Sequence, residues 1–307
     1  MIYIIIITYN ATPWLQKCLD SCKGYQVIIV DNKSTDGTTA FIKQKYPQMH
    51  LLPQKENLGF GQANNIGIKY ALTQGADYVF LLNQDAYLQK ECIETLIETH
   101  KKNTTYGILS PVHLNGQGNR LDRNFSNYVN YTANPDFYSD FVLKKPQQEV
   151  YEVPFVNAAG WLLSRKILET VGGFDPIFFH YGEDDNYCQR ARFHGFKIGV
   201  VPTAFLWHDR EDRQSVVFEN KQQEEESAFK QLERKLKTKW GDINLENIDP
   251  LDIMLLRKQK QKVKAMLKLQ IAHYNQLANE IKLIRRVKSE LVESRHRNKK
   301  SVGPYLS

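Results

Sequence analysis

An α/β fold, with a mostly parallel central sheet flanked by helices and a helical extension at the C-terminal end, is the class this sequence predicts. Three features point to it. The runs Ile2–Thr8, Gln26–Val30 and Tyr78–Leu82 are mostly apolar without polar alternation, the first of them β-branched throughout most of its length, as strands buried on both faces are. Segments of helical period separate them, and a βαβαβα order implies a mostly parallel sheet with helices on both faces. After Asp209 the strand-like runs stop and charged helical segments begin.

Taken in order, Ile2–Thr8 is the first strand and Trp14–Lys23 the first helix. Gln26–Val30 is the second strand, ending at Asp31. Ser34 or Thr35 is placed to cap a helix over Thr38–Lys45. His50–Pro53 is a short third strand, Phe60–Leu72 a helix, and Tyr78–Leu82 a buried strand running into Asn83-Gln84-Asp85. Glu91–Lys102 is amphipathic, anchored by Ile93, Leu96 and Ile97. Ile108–His113 reads as a strand, and the Asn-, Asp- and Tyr-rich stretch to Pro146 as loop or hairpin. Val153–Val156 reads as a strand, Leu162–Val171 contains a short helix, and Gly172-Gly173-Phe174-Asp175 is a turn. Glu183–His194 is helical, and Lys197–Val201 is a strand ending at Pro202. A catalytic-type domain over residues 1–213 and a basic extension over 214–307 follow. The extension holds helical Gln214–Trp240, a break at Gly241–Pro250, one long helix over Leu251–Glu293 and a frayed tail over 295–307.

Composition narrows the function classes. Hydrophobic residues are 42% and charged residues 24% of 307, which excludes a disordered, collagen-like or disulfide-scaffold chain. A net charge of +7 suggests a polyanion partner until it is located. Arg257 to Lys300 holds 14 Lys/Arg against three Glu, a local +11, so the other residues together carry −4. A nucleic-acid binder would interleave aromatics with those cations, and before Tyr305 this segment has only Tyr274. Cys18, Cys22, Cys92 and Cys188 form no paired CxxC motif and read as small buried residues. Met1 is followed at once by Ile2-Tyr3-Ile4-Ile5-Ile6-Ile7, without a signal-peptide pattern and too short to cross a bilayer, so a cytoplasmic protein is expected, touching a membrane at most from its inner face.

Ligands of open α/β sheets bind beyond the carboxyl ends of the strands, where Asn10, Asp31 and Asp85 fall. Asp31 suits a ribose hydroxyl or a base N–H, and equally a cap or turn; Asp36-Gly37 reads as a turn. In an extended segment Asn83 and Asp85 share a face, an oxygen pair suited to Mg²⁺ or Mn²⁺. Glu183-Asp184-Asp185 follows the apolar run Ile177-Phe178-Phe179. Three adjacent acids there either favour a helix N-terminus or supply a base for an attacking hydroxyl. His208 ends Thr203–His208; it is structural, or it completes a metal shell if the fold brings it to Asp85.

These segments together resemble the family 2 inverting glycosyltransferases of the GT-A fold, in the rhamnosyltransferase-like and galactofuranosyltransferase-like branch. The matching pieces run in the family's order. They are Ile7–Asn10, Val30–Thr38, Asn57–Gly61 with Ala63–Gly67, Leu82–Asp85, Gly172–Asp175, Tyr181–Asp184 and Pro202–His208, covering about residues 1–210. The resemblance implies that Thr8 and Asp31 hold base and ribose with help from Asp36, and that Asn10, Asn57, Gly59, Asn64 and Asn83 shape the nucleotide-sugar pocket. It implies that Asp85 and His208 bind a divalent metal, Mn²⁺ or Mg²⁺, and that Asp184 is the catalytic base beside Glu183. Trp161, in Asn157-Ala158-Ala159-Gly160-Trp161, falls where acceptor contacts are expected; it stacks on a sugar or is core. Two departures stand out: Asn83 replaces the first Asp of the DxD-like motif, and Asn186 stands where a second Asp usually follows the Glu-Asp pair, with Asp185 out of register as the extra acid.

The implied function is inverting, metal-dependent transfer of a sugar from a UDP- or dTDP-sugar to a glycan or lipid-linked glycan in bacterial-type surface polysaccharide synthesis. The alternative is a non-catalytic nucleotide-sugar or glycan-binding module on the same fold. Along the expected long helix, Leu267, Gln270, Tyr274, Leu277, Ile281, Ile284 and Leu291 form a 3–4 seam interrupted at Lys288. That seam packs on the protein's own body, dimerises, or accompanies docking of the Lys/Arg-rich face to an anionic inner membrane surface.

Overall fold

In the computed structural model, residues 1–210, 218, 220–300 and 302–306 are described. Ile2–Thr8 forms β1, its last five residues buried. In parallel with it lie β2 (Gln26–Asp31), then β3 (His50–Pro53) outside β2, and β4 (Tyr78–Asn83) on the other side. Ile4 and Ile6 face one core while Ile5 and Ile7 face another, so the unbroken apolar run serves both sides of the sheet. The connecting helices are α1 (Thr12–Ser21), α2 (Thr38–Lys45) and α3 (Gly59–Thr73). Register aligns Thr8 with Asp31 and Ile7 with Asn83, which gathers the polar strand ends along one edge.

Beyond β4 the sheet becomes mixed. β5 (Ala86–Leu88), β6 (Tyr106–Asn115), β7 (Tyr151–Glu152), β8 (Gly160–Ser164) and β9 (Lys197–His208) complete the order β3-β2-β1-β4-β8-β6-β9-β5, with β7 on β9. Among the helices here are α4 (Cys92–Lys102), α5 (Phe125–Tyr128), α6 (Pro135–Val142), α7 (Arg165–Val171) and α8 (Glu183–Phe193). All four cysteines are free and buried.

Several expectations are corrected. The stretch read as loop contains α5 and α6; Asn134 caps α6 by accepting from the Asp136 and Phe137 amides. The strand expected over Val153–Val156 lies earlier, as β7, while the short helix expected within Leu162–Val171 is α7, preceded by the end of β8. β9 does not stop at Pro202. Pro111 pairs with Val201 and Val112 with Phe205, so Pro202, Thr203 and Ala204 sit in a bulge where no ladder N–H is required.

The chain divides into two compact units, Met1–Gln214 with Ser301–Ser307, and Ser215–Lys300. The expected boundary at residues 213 and 214, and the expected helix start at Gln214, lie outside the described residues. The second unit holds α9 (Lys221–Gly241), α10 (Pro250–Leu267) and α11 (Ile271–Asn298). One long helix was expected over Leu251–Glu293; instead Leu269 adopts a left-handed φ of 53° and the chain turns back. Leu277, Ile281, Ile284 and Leu291 of the predicted seam are buried, and α11 packs on α9 and α10 of the same chain. Lys237 of α9, paired with Glu233 of the same helix at 2.8 Å, reaches Glu290 of α11 at 2.9 Å. Arg295 donates to the carbonyl of Trp240 in the last turn of α9 and to those of Asp242 and Leu245 beyond it.

The tail is not frayed over its described part. Residues 302–306 return to the first unit, where the Gly173 amide donates to the Pro304 carbonyl at 2.8 Å and Leu306 packs on the core. Gly172, at φ +80°, makes room for this: a Cβ there would stand 2.0 Å from the Pro304 oxygen.

Asp36 joins α1 to α2. Its carboxylate accepts from the amide and hydroxyl of Thr12 and from those of Thr38. Burial works to raise its pKa, but these hydrogen bonds outweigh it and hold the group at about 2. A depressed folded pKa stabilises above the unfolded value near 3.8 and is lost as pH falls towards 2. Asp36→Ala is therefore expected to cost a capping-type ~1 kcal/mol at pH 7. In denaturant titrations the gap between variant and parent should close between pH 4 and pH 2; a gap that persists would refute the account.

Candidate active site

At the carboxyl ends of β1, β2 and β4 lies a cleft of about 620 Å³. Four pieces of chain build its polar wall. Asn10 follows β1 at a left-handed φ of 49°, a conformation Asn tolerates. Its amide donates to Ser34 Oγ at 2.9 Å, and its side-chain oxygen accepts from the Thr35 amide. Asn57 and Gly59 open α3. Asn32 holds them there, donating to the Gly59 carbonyl and accepting from the Leu58 amide, both at 3.0 Å. Gly59, at φ +79°, lets the chain at Phe179 pass; a Cβ would stand 1.9 Å from the Phe179 oxygen. Glu183 and Asp184 form the first turn of α8, reached through Tyr181 and Gly182 at positive φ.

The fourth piece is the pair Asp85 and His208. Asp85 sits in the turn between β4 and β5, and the antiparallel pairing of Ala86 with His208 brings the end of β9 beside it. Asp85 Oδ1 stands 3.6 Å from His208 Nε2, and both side chains are buried. On its other side His208 Nδ1 faces Asp122 Oδ2 at 3.7 Å. Asp122 accepts from Arg210 Nε at 2.8 Å and from the Asn124 and Phe125 amides at 2.9 Å. Burial alone would raise the Asp122 pKa, but the Arg210 hydrogen bond and these amides keep it below the usual carboxylate range.

The expected site residues divide. Asn10, Asn57, Gly59, Asn83, Asp85, Glu183, Asp184 and His208 line one cleft. Thr8, Asp31, Asp36, Asn64, Asp185 and Trp161 do not. Asp31 is buried, accepting from Thr8 Oγ1 at 2.8 Å and from Ser34 Oγ at 2.6 Å, so it braces the loop that holds Asn10. Asp36 is the clamp described above. Asn64 donates to the Phe60 carbonyl one turn back in α3. The Asp185 amide donates to Asp184 Oδ1 at 2.9 Å. The acceptor role expected of Trp161 is corrected: it is a core residue of β8, 0% exposed, and stacks on Phe174 at 6.1 Å.

A scan against protein-family models matches residues 3–172 to Glycosyl transferase family 2. The chain belongs to that family. Among its relatives is the low-salt glycan biosynthesis hexosyltransferase Agl10 of Haloferax volcanii, 29% identical over 67% of this chain and 66% of that protein. Another is the N-acetylglucosaminyl-diphospho-decaprenol L-rhamnosyltransferase of Mycobacterium tuberculosis, 26% identical over 67% of this chain and 75% of the relative. The mannosyltransferase PcManGT from Pyrobaculum calidifontis, solved in complex with GDP-Man and Mn²⁺, shares the fold at a TM-score of 0.55 and 17% identity, covering 97% of this chain and 86% of that one. The fold is GT-A, and the protein is a glycosyltransferase.

For a family 2 enzyme the donor set at Asp85 and His208 is informative. His208 Nε2 and Nδ1 are buried and have no hydrogen-bond partner among the described residues. One carboxylate oxygen and one imidazole nitrogen 3.6 Å apart can both reach a single divalent ion at ~2.1 Å, so the residues fit such an ion. No group of three or more such side chains occurs among the described residues, so a substrate diphosphate and water would complete the shell.

Motif reading missed Asn32, Asp122, Tyr128 and Arg210. Tyr128 lines the cleft, and burial, with the Asp184 charge adding to it, pushes its hydroxyl up to about 12. Asn32, in the Val30–Thr38 motif, carried a legible signal; the other three lie in the segment read as loop or beyond the last motif.

Proposed function

We propose that this enzyme is an inverting transferase that moves a sugar from a UDP- or dTDP-sugar to a glycan or lipid-linked glycan in surface polysaccharide synthesis. The observation that carries it is one cleft holding both the buried Asp85–His208 pair and the acid pair at the start of α8. Asp184 is the base: it is half-buried and lines the cleft, whereas Glu183 is only 4% exposed. Asp184 takes the proton of an acceptor hydroxyl. The oxygen attacks the anomeric carbon from the face opposite the diphosphate, whose C–O bond breaks, and one displacement inverts the centre. Asn10, Asn57 and Gly59 contact the nucleotide directly, while Asp31 and Thr8 act by bracing them.

Asp85 and His208 would hold a divalent metal, Mn²⁺ or Mg²⁺, which when bound neutralises charge on the departing nucleoside diphosphate. Asp122, kept ionised by Arg210, favours the His208 tautomer protonated at Nδ1 and leaves the Nε2 lone pair directed towards Asp85. The Mn²⁺ in the structurally similar mannosyltransferase supports the metal, and the diphospho-decaprenol in the mycobacterial relative's name supports a lipid-linked acceptor. A cytoplasmic site of action follows from that reading.

The test is a panel of nucleotide sugars scored for thermal stabilisation with and without Mn²⁺, followed by transfer and hydrolysis assays. At a hundred times Kd the matching donor should stabilise by ~2.7 kcal/mol, a Tm rise of roughly 5–10 °C. Stabilisation without any turnover would favour the non-catalytic reading, and no response to any donor would remove the nucleotide-sugar assignment.

A further inference from the structure

Leu277, Ile281, Ile284 and Leu291 of the seam predicted for dimerisation or docking are buried inside the second unit, but an apolar stripe that shares Leu267 with that seam is exposed. On α10, Ile253, Leu256, Val263 and Leu267 follow one another at spacings of three, seven and four, which places them on one face of the helix. They are between 52% and 75% exposed, and Leu269 and Ile271 in the turn that follows are 85% and 73% exposed. The opposite face of α10 carries Leu251 and Ala265, both buried, so α10 is already packed and the stripe faces outward. Exposed apolar residues gathered on one helix face mark an interaction surface.

The charge around the stripe identifies what covers it. Between Ile253 and Asn279 stand six Lys/Arg and no Asp or Glu. Lys258 is engaged with Glu280 at 2.6 Å, and Lys262 lies over the Tyr274 ring at 4.6 Å. Arg257, Lys260, Lys264 and Lys268 are exposed, and no ion pair is described for them among the described residues. Lys260 lies within the stripe, and Arg257, Lys264 and Lys268 run along one flank. A second copy of this helix would set these cations against their own kind. An anionic lipid surface matches both elements at once, since cations reach its headgroups while leucine and isoleucine enter the acyl boundary. We propose that the α10 face, continued by the turn at Leu269 and Ile271, docks the enzyme peripherally onto an anionic membrane. No helix among the described residues is long and apolar enough to cross one, so the contact is interfacial.

The inference deepens the lipid-linked acceptor reading but is tested without donor or acceptor, so the two can fail separately. The full-length protein is floated with vesicles of phosphatidylcholine alone or with 30% phosphatidylglycerol, where the percentage is roughly that of an anionic membrane face. Binding is expected only to the anionic vesicles and should weaken with salt. The variant Lys260→Gln/Lys264→Gln should lose about thirtyfold in partitioning, and Leu256→Ser/Val263→Ser about tenfold. These side chains are exposed, so thermal melting should be unchanged, and a melted variant is replaced by Leu267→Ser. Equal partitioning of parent and variants, or equal binding to neutral vesicles, overturns the proposal. So does sedimentation showing a dimer that Leu256→Ser/Val263→Ser dissociates while vesicle binding is absent.

Discussion

Replacing Asp184 by Asn is expected to lower kcat by ~10²–10⁴-fold while leaving the donor's binding unchanged. The side chain keeps its shape and its oxygen can still accept from the Asp185 amide at 2.9 Å, so the first turn of α8 should stand. What disappears is the capacity to take a proton from the acceptor hydroxyl, which matters only in the transition state. A loss of that kind falls on kcat and on kcat/KM alike. Glu183→Gln is the control. Glu183 is buried beside it in the same turn, so its replacement should show mainly in thermal stability. Retained turnover in Asp184→Asn with a dead Glu183→Gln would transfer the role to Glu183. Retained turnover in both would leave the acid pair as helix-terminal electrostatics and no more.

The sequence was most readable where a single physical demand acts on a segment. β1, β2 and β4 are buried on both faces, and nothing competes with the unbroken apolar pattern that such burial selects. The acids of the cleft were readable for a related reason: Asp85 stands three residues past the apolar run ending at Leu82, and Asp184 five past the one ending at Phe179. Segments shaped by distant partners were not readable. Val153–Val156 is apolar because it packs into the core, yet β7 forms one step earlier, where Tyr151 and Glu152 meet β9. Trp161 resembled an acceptor platform because small residues precede it, but Phe174 and Tyr187 of α8 cover its face of β8. Asp122 escaped entirely, because its partner Arg210 is 88 residues further on and only the pairing of β9 with β5 and β6 brings them together. The break at Leu269 was hidden for another reason: a helical period running through 251–293 continues in phase across a left-handed residue.

Asp85→Ala is expected to abolish metal-dependent donor binding, and Asp122→Asn to weaken Mn²⁺ affinity by ~10–100-fold. The two effects have different origins. Asp85 would supply an oxygen to the ion, so its loss would leave His208 as the remaining protein donor of the pair. Asp122 stands on the far side of the imidazole, 3.7 Å from Nδ1, and acts through the ring. As a carboxylate it attracts the Nδ1 proton; as an amide it does so weakly, and the Nε2-protonated form becomes competitive, with no lone pair directed at Asp85. Asparagine preserves an oxygen for the Asn124 and Phe125 amides, so α5 should remain in place. Titration of Mn²⁺ by electron paramagnetic resonance, in the presence of a nucleoside diphosphate, separates the cases without any turnover. Asp85→Ala should show no protein-enhanced metal binding. Asp122→Asn should bind more weakly. Unchanged Mn²⁺ affinity in Asp85→Ala would remove the pair from the metal site. Unchanged affinity in Asp122→Asn alone would reduce Asp122 to a cap of α5 and a counter-ion for Arg210.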